Sequence, residues 1–405
     1  MKDKIIQAIR SNLDWFRKSG VMDPADGTWG VAERIAVTTG NCALEKMLEN
    51  FPAWTMKDDY CVIEQRRSDC NFQTATLFQL AAEKLNDSEV KKIAENIFNF
   101  LYCRSGLLFT IDIGDVPAGV WQWSHIRQRP VIWFDDNSWC ILLQLALCRH
   151  NEALGKKFHC KERALQLAKA LVAGAERSFA NLNPEDPEYC DPKNVWFGNI
   201  RMPHWGALTC MALSAAGGVS AETEYADFIR TYLKFVDENM ESWNVSELCY
   251  ALLGASFAFK YLKEDIFRNY VLRLEKRLLS RQNPENGNFP SEHEREAPTG
   301  SHKVDTIYTV NWAFLALQCS YSITGSRECA EAKQKLLGLL LRIQDKSDLP
   351  QYSGCWRGMY DLVSESWGGG DCFEGGASSI YTGWTNAPIS LGLIFELDNK
   401  SLLDL

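Results

Sequence analysis

Trp205-Gly206-Ala207-Leu208-Thr209-Cys210-Met211-Ala212-Leu213-Ser214-Ala215-Ala216 is apolar around its whole circumference at helical spacing. After the turn Gly217 to Ser220 the chain continues as Glu222 to Met240, whose apolar residues keep to one stripe with charges opposite. A helix without a polar face must be surrounded by protein, and a striped one can cover it from the solvent side. The couple recurs. The surrounded members are Thr74 to Ala82, Ser138 to Leu147, Trp205 to Ala216, Leu248 to Ala258, Val310 to Ser320 and Ala387 to Phe395. The striped members are residues 2 to 18, Glu89 to Tyr102, Lys161 to Phe179, Glu222 to Met240, Glu264 to Gln282 and Arg327 to Ile343. Six of each in alternation predict an all-α fold, an (α/α)6 toroid of six helical hairpins with apolar helices inside and amphipathic helices outside; a bundle would give every member one pattern.

Links from an inner to an outer helix are short, as at Leu85 to Asp87, whereas those from outer to inner are mostly about 25 to 50 residues long, Glu241 to Trp243 excepted. In an alternating ring the long links all leave at one end, where the inner-helix N-termini add partial positive charge. Thirteen of the fourteen tryptophans lie in those links or in the first residues of the following helix, Trp15 being the exception. A large ring is costly to expose unless it faces a ligand, so this placement predicts a lined cavity at that end. Asp26-Gly27-Thr28-Trp29, Asn286-Gly287-Asn288-Phe289 and Ser353-Gly354-Cys355-Trp356 share a turn glycine followed by an aromatic, a device that reads as architectural.

No linker divides the 405 residues, which predicts one domain over 1–405. A formal charge of -9 argues against nucleic acid or an anionic membrane surface as partner. Fourteen cysteines without a CxxC pair or a Cys/His cluster read as reduced thiols and give no metal site. Lys2 and Lys4 precede Ile5, Ile6, Ile9 and Leu13 at helical spacing, no signal-type apolar segment follows, and no run of about 18 apolar residues exists; a cytoplasmic protein is expected.

A polar cluster precedes each inner helix: Asp69 and Asn71, Asp135 to Asn137, Arg201 and His204, Asn244 and Glu247, Asp305 and Tyr308, Tyr381 and Asn386. Helix capping explains such residues one at a time. The ring, however, brings all six to one mouth. The densest segment is Arg127-Gln128-Arg129-Pro130-Val131-Ile132-Trp133-Phe134-Asp135-Asp136-Asn137-Ser138-Trp139, in which two adjacent carboxyls sit among bulky aromatics. Mutual repulsion and desolvation would raise at least one proton affinity, giving a general acid at neutral pH.

Asp136-Asn137 after Pro130-Val131-Ile132-Trp133 resembles the Trp-x-Asp-Asn segment that opens an inner helix in unsaturated glucuronyl hydrolases, members of the six-hairpin glycosidase group. Arg67-Ser68-Asp69-Cys70-Asn71-Phe72 resembles their His-Asp-x-Gly-Phe segment at the preceding inner helix, with Ser68 in place of the histidine and Asn71 in place of the glycine. The resemblance implies Asp136 as general acid/base and Asp69 as a second essential aspartate that helps hold the sugar. Trp367 to Asn386, dense in Gly, Trp and Tyr, is similar to segments of toroidal bacterial β-glucuronidases. Its glutamate, Glu374, is a candidate second catalytic group.

The expectation is therefore a glycoside hydrolase that removes a terminal uronic acid, saturated or unsaturated β-glucuronyl, from an oligosaccharide, compatible with oligomerisation and needing no metal or organic cofactor. Trp133, Trp205 and Trp384 would stack on sugar rings, Arg67, Arg129, Arg201 and His204 would bind its polar groups and the uronate, and Asp135 and Asn137 would complete the contacts. An unsaturated substrate requires Asp136 alone; a saturated one requires Asp136 with Asp69 or Glu374. A sugar 2-epimerase would instead use paired histidines, for which His204 and His302 are available, and a polysaccharide lyase a Tyr or His base beside an arginine. A non-catalytic glycan-binding protein would need neither. Fold alone does not choose among these.

Overall fold

The twelve periodic segments are helices in the computed structural model of the protein, which describes residues 1–38, 44–49, 51–180, 195–220, 224–291, 302–369 and 376–405. In chain order the helices are α1 (Lys2–Lys18), α2 (Leu44–Leu48), α3 (Ser68–Leu85), α4 (Ser88–Cys103), α5 (Phe134–His150), α6 (Glu152–Lys157), α7 (Cys160–Ala180), α8 (Pro203–Gly217), α9 (Glu224–Glu238), α10 (Val245–Leu262), α11 (Asp265–Leu279), α12 (Val310–Thr324), α13 (Arg327–Ile343) and α14 (Ala387–Asp398). The inner ring is α3, α5, α8, α10, α12 and α14. Each packs on the next and α14 returns to α3, while α1 closes the outer ring against α13 and α14. The short α2 and α6 interrupt links and belong to neither ring.

Composition explains which helix goes where. From Phe134 to Leu147, α5 is buried except at Leu145, whereas α4 buries only the stripe Val90, Ile93, Ala94, Ile97, Phe98, Phe100 and Leu101. Both α3 and α5 begin earlier than their apolar runs, at Ser68 and Phe134, because Asp69, Asn71, Asp135, Asp136 and Asn137 are polar yet helical and buried. The reading of these carboxyls as simple caps does not hold: α3 and α5 have no side-chain cap, whereas Asn244 does cap α10 by accepting from Glu247 N.

Short strands, absent from the sequence reading, organise the long links: β1 (Arg34–Val37), β2 (Trp54–Met56), β3 (Tyr60–Ile63), β4 (Ile132–Trp133), β5 (Trp196–Phe197), β6 (Lys303–Asp305), β7 (Met359–Asp361), β8 (Ser366–Trp367) and β9 (Ser379–Tyr381). They form sheets of order β2-β3-β1-β9, β4-β5 and β6-β7-β8. In the first, β1 is antiparallel to both neighbours, with Arg34 opposite Ile63 and Tyr381; β4 and β5 are parallel, with Ile132 opposite Trp196. Strands β3, β4, β5, β6 and β9 each lead into an inner helix, so the sheets gather at the mouth.

The glycine turns are architectural as expected. Gly27, Gly287 and Gly354 all have positive φ, and a Cβ on Gly354 would fall 2.2 Å from the carbonyl oxygen of Ser11 on α1. Phe289 and Trp356 pack back fully buried, whereas Trp29 is 52% exposed. The cavity expected from the tryptophans needs correcting: Trp121, Trp139, Trp196, Trp312 and Trp356 are core residues, and so is Trp15. Half-buried indoles at the mouth are Trp123, Trp133 and Trp205. Among the described residues no helix is long and apolar enough to cross a membrane.

Candidate functional site

Four asparagines at inner-helix starts fix the links over the mouth. Asn71 accepts from Val31 N and donates to Val31 O and Arg67 O, and Asn137 accepts from Trp121 N and donates to Trp121 O and Trp133 O. Asn311 donates to the carbonyls of Ile307 and Trp384, and Asn386 to those of Trp356 and Tyr381. An amide is suited to this because it donates and accepts at once, as the peptide group it pairs with does. Asn137, expected at the sugar, is thus part of the scaffold.

The centre of the site is Arg67, the residue before α3, whose side chain is 11% exposed. Its Nη2 lies 2.8 Å from Asp136 Oδ1 and 3.0 Å from Asp69 Oδ2, its Nε 3.1 Å from Asp69 Oδ1, and its Nη1 3.1 Å from Glu33 Oε1. Arg34 adds a second guanidinium on Glu33, at 3.1 Å. Asp135 turns to the other side, where its Oδ2 is 3.0 Å from His204 Nε2 on α8. Four carboxyls therefore face two guanidiniums and one imidazole.

Burial drives the Asp136 carboxyl well above the ordinary carboxylate range; Arg67 opposes this, but Asp69 and Asp135 add to it. Asp69 is raised by burial too, against Arg67, while the backbone of Cys70 and Trp384 Nε1, 2.6 Å from its Oδ2, help it stay ionised. Glu33 goes the other way: despite complete burial, Arg34 and Arg67 hold it below its usual value. The shared proton belongs on Asp136. Its Oδ2 has no hydrogen-bond partner, and neither has Oδ1 of Asp135. Both oxygens of Asp69 are occupied, which makes it a support for Arg67.

Aromatic rings line this cluster. Trp384, in a π-helical turn (Thr382–Asn386) before α14, is 4% exposed and touches the rings of Trp312 and His204, with centroids 5.2 and 5.3 Å away. Its seat is tight, since a Cβ on Gly383 would lie 2.4 Å from Cys70 Cα. Trp139, Tyr250 and Trp312 complete a floor across α5, α10 and α12. A wall rises from it: His204 stacks on Trp205 at 4.7 Å, Trp205 lies nearly parallel to Trp133 at 6.3 Å, and Trp123 meets Trp133 edge-on. The indole N–H groups of Trp133 and Trp205 have no partner.

The structure thus brings together Arg67, Asp69, Asp135, Asp136, Trp133, His204, Trp205 and Trp384 of the residues singled out in the sequence. Arg201 instead lies over Phe179 and Phe235 of the outer helices, 5.9 and 6.0 Å from their centroids, and Arg129 is exposed in the link before β4. Glu374 lies outside the described residues. Glu33 and Glu247 join the site without having been weighted: Glu247 Oε2 accepts from His204 N at 2.6 Å. Glu247 was visible as part of a rim cluster, whereas a lone Glu33 carried no signal.

No protein-family model and no curated protein sequence matches the chain. Among solved structures it is similar to a cellobiose 2-epimerase from Spirochaeta thermophila (12% identity, 98% of this chain and 97% of that one, TM-score 0.62). It is also similar to a sugar epimerase from a ruminal bacterium (10%, 96% and 98%, 0.61) and to an α-1,6-mannanase of glycoside hydrolase family 76 from a Salegentibacter species (8%, 100% of both chains, 0.55). An inactive variant of that mannanase, with two consecutive aspartates replaced by asparagine, has been solved with α-1,6-mannotriose. At 8 to 12% identity the likeness is one of fold, and the fold of this chain is the (α/α)6 toroid.

Proposed function

We propose that the protein is a glycoside hydrolase acting on an oligosaccharide, with Asp136 as general acid and Asp135 as the carboxylate that activates water or attacks the anomeric carbon. One observation carries this reading: in two adjacent carboxyls one oxygen is held, by Arg67 or by His204, and the other has no partner. Hydrolysis needs one carboxyl that gives a proton and one that gives electrons. Burial among like charges keeps the proton on Asp136, and His204, when Nε2 carries the hydrogen, steadies Asp135 as acceptor. The mannanase whose double aspartate variant is inactive lends support by its similar fold and its similarly tandem acids. Trp123, Trp133 and Trp205 supply a stacking wall.

A uronate, the finer expectation, needs a cation with open donors. All three nitrogens of Arg67 are committed to protein carboxyls and Arg201 leans on the outer ring, which removes two of the cations expected for a uronate and supports a neutral sugar, although Arg127 lies 4.5 Å over the Trp123 ring of the wall. Epimerisation is the second reading, favoured by the His204–Asp135 pair. It asks for two imidazoles, and among the described residues only His204 contacts the carboxyl cluster; His302 sits beside β6, its carbonyl bonded to Leu362 N.

The test is a panel of manno-oligosaccharides, aryl mannosides, aryl β-glucuronides, unsaturated uronyl disaccharides, cellobiose and mannose, with products resolved by chromatography. Cleavage of a neutral glycoside is expected. Cleavage confined to the uronides restores the uronate expectation, conversion of cellobiose or mannose without cleavage makes the protein an epimerase, and no conversion of any member contradicts the enzyme reading.

A further inference from the structure

A guanidinium has one positive charge to divide among its partners, so the proton affinity of Asp136 depends on who else shares Arg67. Asp69 takes two of its nitrogens and Glu33 the third. Glu33 cannot drift away: it is fully buried, its Oε2 accepts from Gln65 Nε2 at 3.1 Å, and its own N–H donates to Gln65 O at 2.8 Å. Its carbonyl accepts from both the backbone N–H and the hydroxyl of Thr382, in the turn that carries Trp384. Arg34, which shares Glu33, is itself fixed, its guanidinium lying 3.8 Å over the Tyr381 ring.

We propose, building on the reading of Asp136 as general acid, that Glu33 is a positioning residue: it draws Nη1 of Arg67 away from the aspartates and leaves Asp136 too little positive charge to give up its proton. Among the described residues the charged groups around Asp136 are the following, with the buried thiols of Cys70 on α3 and Cys140 on α5 beside it. Arg67 and Asp69 come from the start of α3 and Asp135 from α5 itself, Glu33 with Arg34 acts through Arg67 from the β1 side, and His204 on α8 lies 3.0 Å from Asp135. Removing the Glu33 charge acts twice in one direction, since it returns Arg67 to the aspartates and deletes one repelling anion.

The experiment reads the carboxylic C=O band of Asp136 by infrared difference spectroscopy against pH, the band being assigned by its loss in Asp136→Asn. In Glu33→Gln its midpoint moves to lower pH by about one unit, and in Glu33→Asp, which keeps the charge on a shorter arm, it moves part of that way. The alkaline limb of kcat/KM follows the same shift. Identical titrations in wild type and Glu33→Gln, with near-ultraviolet circular dichroism unchanged, overturn the proposal. Should Glu33→Gln not fold, an unmoved band in Glu33→Asp overturns it equally. A band that shifts as stated in a protein that cleaves no glycan upholds the role of Glu33 and removes the hydrolase reading.

Discussion

Asp136→Asn lowers kcat on an unactivated oligosaccharide about 10³-fold, roughly 4 kcal/mol of transition-state stabilisation. Asparagine is the same size and keeps an oxygen for Arg67 Nη2, 2.8 Å away, so the loss is that of a transferable proton and not of the scaffold. An aryl glycoside whose phenol leaves without protonation separates the roles: there the loss in Asp136→Asn shrinks to about tenfold, whereas Asp135→Asn is impaired on both substrates. The pH profile provides a second check. Burial beside Asp69 and Asp135 raises the Asp136 carboxyl, and the group works while protonated. Activity is therefore retained above the ordinary carboxylate range and falls as pH rises through the folded-state value; this limb disappears in the variant. Steady-state kinetics on the two substrates across pH measures both effects.

Arg67→Gln destabilises the fold by about 3 to 5 kcal/mol at neutral pH, because it strands buried carboxyls without their cation. Asp69 and Asp136 are completely buried, and of the two guanidiniums on Glu33 Arg34 remains. The sign of the pH dependence follows from proton uptake. Carboxyls whose folded values lie above their unfolded values bind more protons in the native state, so stability is greatest below the unfolded value and is lost as pH rises through the folded one. Removing Arg67 takes away the group that opposes this rise and steepens the loss. Urea unfolding at a series of pH values is expected to show the variant approaching wild-type stability in acid and diverging from it toward neutrality. A parallel offset at all pH values would mean that Arg67 acts by packing.

The ring was legible because burial all round and burial on one side leave different patterns over ten or more residues, as in Trp205 to Ala216 against Arg327 to Ile343. The strands were not, since two to four residues such as Ile132–Trp133 are too short to show a period of two. The early starts of α3 and α5 were hidden for the reason that makes them interesting: buried aspartates look like loop residues until the guanidinium that pairs them is in place. Arg67, Asp135, Asp136 and His204 could be chosen from local clusters. Glu33 could not, because its contact with Arg67 joins positions 34 residues apart through sheet pairing that no short-range pattern records. The tryptophans misled in part, because Trp139 and Trp312, set at the mouth by sequence, fill the floor beneath it.

Hydrolysis in water enriched in oxygen-18 tests the pairing of Asp135 with Asp136 most directly, by mass spectrometry of the saccharide products. One heavy oxygen per unactivated glycosidic bond cleaved in wild type, with its incorporation slowed about 10³-fold in Asp136→Asn and at least as far in Asp135→Asn, is the predicted result. Incorporation at the wild-type rate in both variants, or its absence from wild type with every glycan offered, would contradict it.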